Sequence, residues 1–408
     1  MRWARRDAGT TFTSIFGGFI WYFGEAAVDP GNPDHVYAMG VSMLQSYDGG
    51  ATWTAIGGAI HADLHAMWID PASPLHAYVG SDGGFYRTSN NSAFTKSVNL
   101  PITQFYDGEV APSDVSRLFG GSQDNNSIMT STGPSGWFAI LGGDGFHVLA
   151  DPVDPLVVFS EYQYGCYGAG FQRSTSGGPS PAGTSGWNAA DRFGWDTPIA
   201  MDPSDHNVLI AGSNFVYKST NNGVNWAKVS GDLTTNPGAA VVYGTLTTVA
   251  ISPASPDVYY AGSDDGKVWR STNAGGTWTD VSAGLPARWV TRVVPDPFDP
   301  QRVYVTHSGY TSDDQATLVH RSDDQGDHWT NVSGNLANVP ANDLVVDPTD
   351  PARLYLATDT GVWTSADGGG YWYPLGTGLP LQVVADLVLH ASSRQLFAFT
   401  HGRSAWSL

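Results

Sequence analysis

His61, Asp63 and His65 alternate along the stretch HADLH. In an extended strand that spacing puts all three side chains on one face. Two imidazoles and a carboxylate so placed could ligate a divalent cation, with His147 as a further ligand, or line a wet channel. The channel lining is the reading adopted, with no metal and no cofactor expected. Arg288 and Arg292 share strand parity in the same way and could clamp a carboxylate or balance nearby acids. Two more polar clusters stand out: GGSQDNNS, with Asp124 and Asn125, and SEYQYG, with Glu161, Tyr162 and Gln163. Their amides, carboxyls and phenols are the groups that recognise sugars or peptides, although Asn- and Asp-rich stretches are ordinarily only turns. Asp63 and Asp144 could act as general acid and base if they face each other.

A repeat must position these residues. SYDGGATW (46–53), STNNGVNW (219–226), STNAGGTW (271–278), SDDQGDHW (322–329) and SADGGGYW (365–372) share one set of offsets. RRDAGTTF (5–12) is a weaker copy, and three eroded copies end at Phe94, Trp137 and Trp187. The acid or amide (Asp7, Asp48, Asn221, Asn273, Asp324, Asp367) sits where a tight turn needs a side-chain acceptor. A glycine two residues on supplies backbone freedom. The closing aromatic (Phe12, Trp53, Trp226, Trp278, Trp329, Trp372) opens a strand and is expected to fold back over the turn as an apolar plug. These acids are read as structural, because the motif recurs in every unit.

A second landmark runs in phase, as in VDPGNPDHVYAMG, MDPSDHNVLIAGS and VDPTDPARLYLAT. Each is a Pro-containing turn followed by a short β-branched and aromatic run. Adding the runs on either side gives four short strands in every 39 to 52 residues, nine times. That is the pattern of an all-β chain folded as a β-propeller, since a four-stranded blade cannot bury both faces alone and radial neighbours cover them. Nine blades are expected, with eight as the alternative. The whole chain, 1–408, reads as one domain, with residues 1–26 completing the last blade begun by 387–408 and removing exposed edges. The phase puts Gln104, Tyr106, Asp144, His147, Asp196, Asn342, Asp343 and Asp386 near the starts of innermost strands, beside the histidines and arginines already named. For Asp343 and Asp386 the simpler role is bonding to the backbone of a neighbouring blade. The loop 174–198 carries Trp187, Phe193 and Trp195 and could lid the channel or pad a blade.

Composition narrows the partners. The formal net charge is -19, and no Lys/Arg cluster is present. That argues against nucleic acid and anionic membranes. Cys166 is the only cysteine, so no internal disulfide can form. No apolar run approaches the roughly 20 residues of a spanning helix, and the basic start is too broken by glycine to read as a signal peptide. A monomer is expected.

The repeated motif resembles the Asp-box, or BNR repeat, of sialidases, glycoside hydrolase family 74, sortilin-like domains and many secreted bacterial repeat proteins. LPITQFYDGEVAPSD, GGSQDNNS, GGDGFHVLADP, SEYQYG and THGRSAWSL are similar to a bacterial sortilin-like, glycosyl-hydrolase-like group. The resemblance implies a secreted or cell-surface setting. It implies no single activity, because these repeats serve enzymes, receptors and assembly factors. Sialidase activity would need an arginine triad, where only Arg288 and Arg292 form an inner pair. Family 74 enzymes work across a cleft between two propellers. The expectation is therefore a non-catalytic module that recognises a glycan, peptide or protein at the channel mouth. The alternative is a glycoside-hydrolase-like enzyme using a pair of channel carboxylates.

Overall fold

The computed structural model describes residues 14–22, 24–235, 243–310, 313 and 318–408. Asp7 and Phe12 lie outside the described residues, as does much of the segment expected to complete the last blade. Among the described residues the chain forms nine antiparallel sheets, eight of four strands and the last of three. Each is a simple meander in chain order. Nine repeats thus give nine sheets, and the architecture is the propeller type expected. No helix of the described residues is long and apolar enough to cross a membrane.

The repeated motif falls between the third and fourth strands of its sheet, and its chemistry is constant. Ser46 Oγ donates to Asp48 Oδ1 at 2.8 Å, and the Thr52 N–H reaches the same oxygen at 2.8 Å. The Gly50 N–H donates back to Ser46 Oγ at 2.8 Å. The Thr52 and Ser46 donors hold the Asp48 carboxyl down at about 2. Only one side-chain oxygen is essential, so Asn221 and Asn273 make the same bonds. The glycine lies at positive φ, 85° at Gly50 and 98° at Gly326, where a side chain would be strained.

The tryptophan behaves differently from the expected plug. Trp226 does donate to its own turn, at Gly223 O. Trp278, Trp329 and Trp372 instead donate their indole N–H to Val229, Val281 and Val332, at 2.9, 2.8 and 2.9 Å. Those carbonyls follow the fourth strand of the preceding sheet. An indole N–H that enters the interface between sheets must find an acceptor there, and each ring staples one sheet to the next.

The chain divides into two compact units, 1–102 and 103–408. The first holds two sheets, with inner strands Glu25–Asp29 and Leu64–Ile69. Tyr37, Met39, Leu64, Val79 and Tyr86 form their shared core.

The second unit holds seven sheets. Their inner strands are Phe105–Val110, Gly145–Ala150, Ile199–Asp202, Leu246–Ile251, Trp289–Pro295, Ala341–Val346 and Val384–Leu389, in phase with the repeat. Each sheet packs on the next, and the last packs on the first. The seven therefore form a closed ring. At the closure Phe105, Val110 and Leu118 share a core with Phe397 and Phe399. Gly108 is required there, since a Cβ would lie 2.1 Å from the Phe399 ring. The Gly108 N–H donates to Asp386 Oδ2 at 3.3 Å, and Ser404 N–H to Thr103 O at 3.1 Å.

Candidate functional site

The centre of the ring is built by a recurring irregularity. Five inner strands are displaced by one residue against their neighbours, between 105 and 107, 246 and 248, 290 and 292, 341 and 343, and 384 and 386. A bulge of this kind re-aims a side chain. The skipped residues Tyr106, Thr247, Thr291, Asn342 and Ala385 all line one cavity of about 380 Å³. Phe146, inside the wider irregularity between 145 and 148, lines it too. Trp195, Trp289, Asp196, Arg292 and His401 complete much of the wall.

Several wall residues also lock the ring. Thr247 Oγ1 donates to Val290 O at 2.6 Å, Thr291 Oγ1 to Ala341 O at 2.7 Å, and Asn342 Nδ2 to Val384 O at 2.9 Å. Each reaches the start of the next inner strand.

After four of the five bulges the next residue is charged, and Asp107, Arg292, Asp343 and Asp386 form a floor. Arg292 sits within 3.2 Å of Asp107, 3.2 Å of Asp343 and 3.0 Å of Asp386. Burial alone would lower its basicity, but the three aspartates outweigh this and raise it. Burial pushes the Asp343 carboxyl up despite Arg292, and the Asp386 carboxyl further, helped by Asp107 and Asp343. Asp343 Oδ2 also accepts the Leu387 N–H at 3.0 Å, the neighbouring-blade bond expected of it.

On the other side His147 Nδ1 lies 2.8 Å from Asp107, and Nε2 lies 3.5 Å from Asp196. Burial disfavours its charge, yet the two carboxylates win and raise it to about 9. Burial would raise Asp107, but His147 and Arg292 hold it below the usual range. Glu109, one step along the strand, is pushed to about 8 by burial and by Asp107.

Glu161 and Asp196 extend this network, and Asp196, like Arg292, lines the cavity. Glu161 is fully buried, and its Oε1 accepts the Thr197 N–H at 2.8 Å. Burial and the adjacent Asp196 raise its carboxyl well above the usual range. Asp196 is half-buried and lines the cavity; burial, then the charge of Asp107, raises it as well. Glu161 behind a cavity-facing Asp196 gives two neighbouring carboxyls, both raised first by burial.

Beside this pair the chain makes a left-handed turn, Gln163–Gly168, with Tyr164 at φ 57° and Tyr167 at φ 53°. Left-handed backbone costs an L-residue about 1–2 kcal/mol. Here Tyr164, Cys166 and Tyr167 all adopt it. The Tyr164 N–H donates to Trp195 O at 3.2 Å, so the turn buttresses the cavity wall.

The candidates from sequence thus separate. Tyr106, Asp196, Arg292 and Asn342 line the cavity, and His147, Asp343 and Asp386 lie in its floor. Arg292 is held by three carboxylates, so it does not clamp an incoming one. The Ala287 carbonyl accepts from Arg288 at 3.0 Å. Gln104 is tied into a backbone bridge with His401. Asp124 and Asn125 form the turn after Ser122: the Asp124 N–H reaches buried Asp144 Oδ1 at 3.2 Å, and Asn125 Nδ2 bonds Gln123 O at 2.9 Å. Tyr162 and Gln163 lead into the left-handed turn.

His61, Asp63 and His65 belong to the first unit. There His65 Nε2 pairs with Asp82 at 2.7 Å, and Tyr86 Oη accepts the His61 N–H at 3.1 Å. Asp63 is a positive-φ residue, and burial raises its carboxyl. Among the described residues no three His, Cys, Asp or Glu side chains are grouped to hold a metal ion.

Strand alternation missed Asp107, Glu109, Thr247, Thr291 and Trp289. The first follows directly on Tyr106, and only the bulge turns both toward the centre.

No protein-family model matches this chain. A xyloglucanase of Paenibacillus sp is 30% identical over 145 residues, covering 32% of this chain and 14% of that protein. A xyloglucanase of Hypocrea jecorina is 25% identical over 396 residues, covering 88% of this chain and 38% of that protein. The chain therefore spans less than two-fifths of the length of these relatives. Among solved structures, the GH74 xyloglucanase from Xanthomonas campestris superposes with a TM-score of 0.61 at 18% identity, over 76% of this chain and 53% of that one. YCF48 from Cyanidioschyzon merolae gives 0.54 at 13% identity, over 76% and 97%. These likenesses establish the fold, and the chain is similar to glycoside-hydrolase propellers in both sequence and structure.

Proposed function

We propose that this protein is a glycoside-hydrolase-like propeller of an extracellular setting, which takes a neutral β-glucan chain of the xyloglucan kind into the central cavity of its second unit. The observation that carries the reading is the cavity itself. Tyr106, Phe146, Trp195 and Trp289 offer aromatic rings, Asn342 and three threonines offer polar edges, and one carboxyl, Asp196, opens among them. Apolar rings with a few convergent polar groups suit sugar rings and their hydroxyls. The relatives named xyloglucanases favour the enzymatic alternative over a module that only binds.

A net charge of -19 and an acid-rich floor disfavour acidic polysaccharides. Asp196 is the proton donor in this proposal. Its raised carboxyl gives a proton to the glycosidic oxygen as the bond to the anomeric carbon breaks. Water then delivers hydroxide to that carbon and returns a proton to Asp196. Burial, and after it the charge of Asp107, keep that carboxyl raised against the opposing pull of His147, Arg292 and Glu161.

The test is reducing-end release from xyloglucan together with calorimetric binding of the same polymer. Asp196→Asn is expected to lower turnover at least 100-fold while binding stays within about threefold. Equal turnover in both proteins removes Asp196 from the chemistry. Absence of both binding and turnover in the wild type defeats the polysaccharide reading.

A further inference from the structure

A succession of touching aromatic rings leads from the cavity to the left-handed turn. Tyr106 stacks on Phe146 at 4.6 Å between centroids, and Phe146 meets Trp195 at 5.8 Å. Trp195 meets Tyr164 at 5.0 Å, Tyr164 lies 6.1 Å from Tyr167, and Tyr167 lies 5.7 Å from Tyr162. The first three line the cavity. Exposure then rises outward, from 40% at Trp195 and Tyr164 to 68% at Tyr167.

Large aromatic side chains facing solvent are not expected from packing, and left-handed backbone at tyrosine is not expected from turn chemistry. Both occur together here, and the strain is held in place. Cys166 is buried, the Gly170 N–H closes the turn onto Gly165 O at 2.8 Å, and a Cβ on Gly165 would meet Phe193 at 2.7 Å. Strain that the surroundings maintain marks functional positions. Its result is to hold two phenol rings outside the cavity, tilted by 38° to each other.

We propose that Tyr164 and Tyr167 form an outer sugar site, so that the ligand is an extended polysaccharide running from the cavity along these rings and not a free mono- or disaccharide. The inference rests on the polysaccharide reading above and adds the direction and minimum extent of the chain. Ring faces recognise the apolar faces of pyranoses, and continuity with the cavity favours one chain over two separate ligands.

The test is calorimetric binding of cellobiose and cellohexaose to the wild type, Tyr167→Ala and Tyr167→Phe. Tyr167 is exposed, so neither substitution threatens the fold. The expected result is about a five- to tenfold weaker affinity of Tyr167→Ala for cellohexaose, no change for cellobiose, and wild-type behaviour in Tyr167→Phe. Cellohexaose bound equally by the wild type and Tyr167→Ala overturns the outer site and leaves the cavity proposal standing. A wild type that binds neither sugar, nor the xyloglucan polymer, overturns both.

Discussion

Arg292→Met tests whether the floor of the central cavity is held by charge. Arg292 has three carboxylates within 3.2 Å, and their side chains are only 7 to 9% exposed. At an effective dielectric of about 20, each such pair at roughly 4 Å is worth about 4 kcal/mol before desolvation. Desolvation of four buried groups cancels most of that sum, and breaking a buried pair by removing one partner costs about 3–5 kcal/mol. Methionine keeps much of the volume, so the loss is chiefly electrostatic. The expected cost at pH 7 is therefore about 3–5 kcal/mol, a fall in Tm on the order of 10 °C for a unit of this size.

The pH dependence gives the sign. Without Arg292, Asp343 and Asp386 have folded-state values raised further above their unfolded values near 4. A raised carboxyl binds its proton more tightly in the folded protein, so stability returns as pH falls. The deficit of Arg292→Met should shrink to about 1–2 kcal/mol at pH 5. Urea unfolding followed by circular dichroism at pH 5, 7 and 8 measures it. A loss below about 1 kcal/mol at pH 7, or one that is the same at pH 5, would refute the reasoning.

Two further outcomes follow from the same residues and from the repeated turn. Wild-type stability should fall as pH rises, between about 4.5 and 8 as the neutral Glu109 loses its proton and between about 6.5 and 9 as the charged His147 does. Glu109→Gln should flatten the part of that decline below pH 8 by as much as about 1 kcal/mol per pH unit, read by thermal melts across the range. In the turn, Asp324→Asn should cost less than about 0.5 kcal/mol and Asp324→Ala about 1–2 kcal/mol. Asn221 and Asn273 already fill the same place, whereas alanine leaves the Ser322 hydroxyl and the His328 N–H without their acceptor; denaturant midpoints of the two variants decide it.

The repeat was legible because its cause is local. Ser46, Asp48, Gly50 and their counterparts bond within one hairpin, so spacing alone reveals the turn and hence the strands around it. What joins sheets is less legible. The tryptophan of the motif could have folded onto its own turn, as Trp226 does, and nothing nearby in sequence says that Trp278, Trp329 and Trp372 reach back to the preceding sheet. The same limit applies to the ring. A landmark records that a sheet exists, but closure in the second unit depends on Phe399 finding a partner with no Cβ, Gly108, in a distant part of the chain.

The candidate site shows a third kind of loss. Strand alternation places Gln104 and Tyr106 on one face and Asp107 on the other, and it would discard Asp107. A bulge at Tyr106 breaks that parity, so that two consecutive residues serve the same centre, Tyr106 in the wall and Asp107 in the floor. The device recurs at Thr247, Thr291, Asn342 and Ala385. Because the skipped residue differs each time, no sequence motif announces it. Four of the bulges let an inner strand serve the cavity and the charged network beneath it at once. That doubling explains how short strands can furnish both an aromatic, hydroxyl-lined pocket and the buried charges that set the protonation of Asp196.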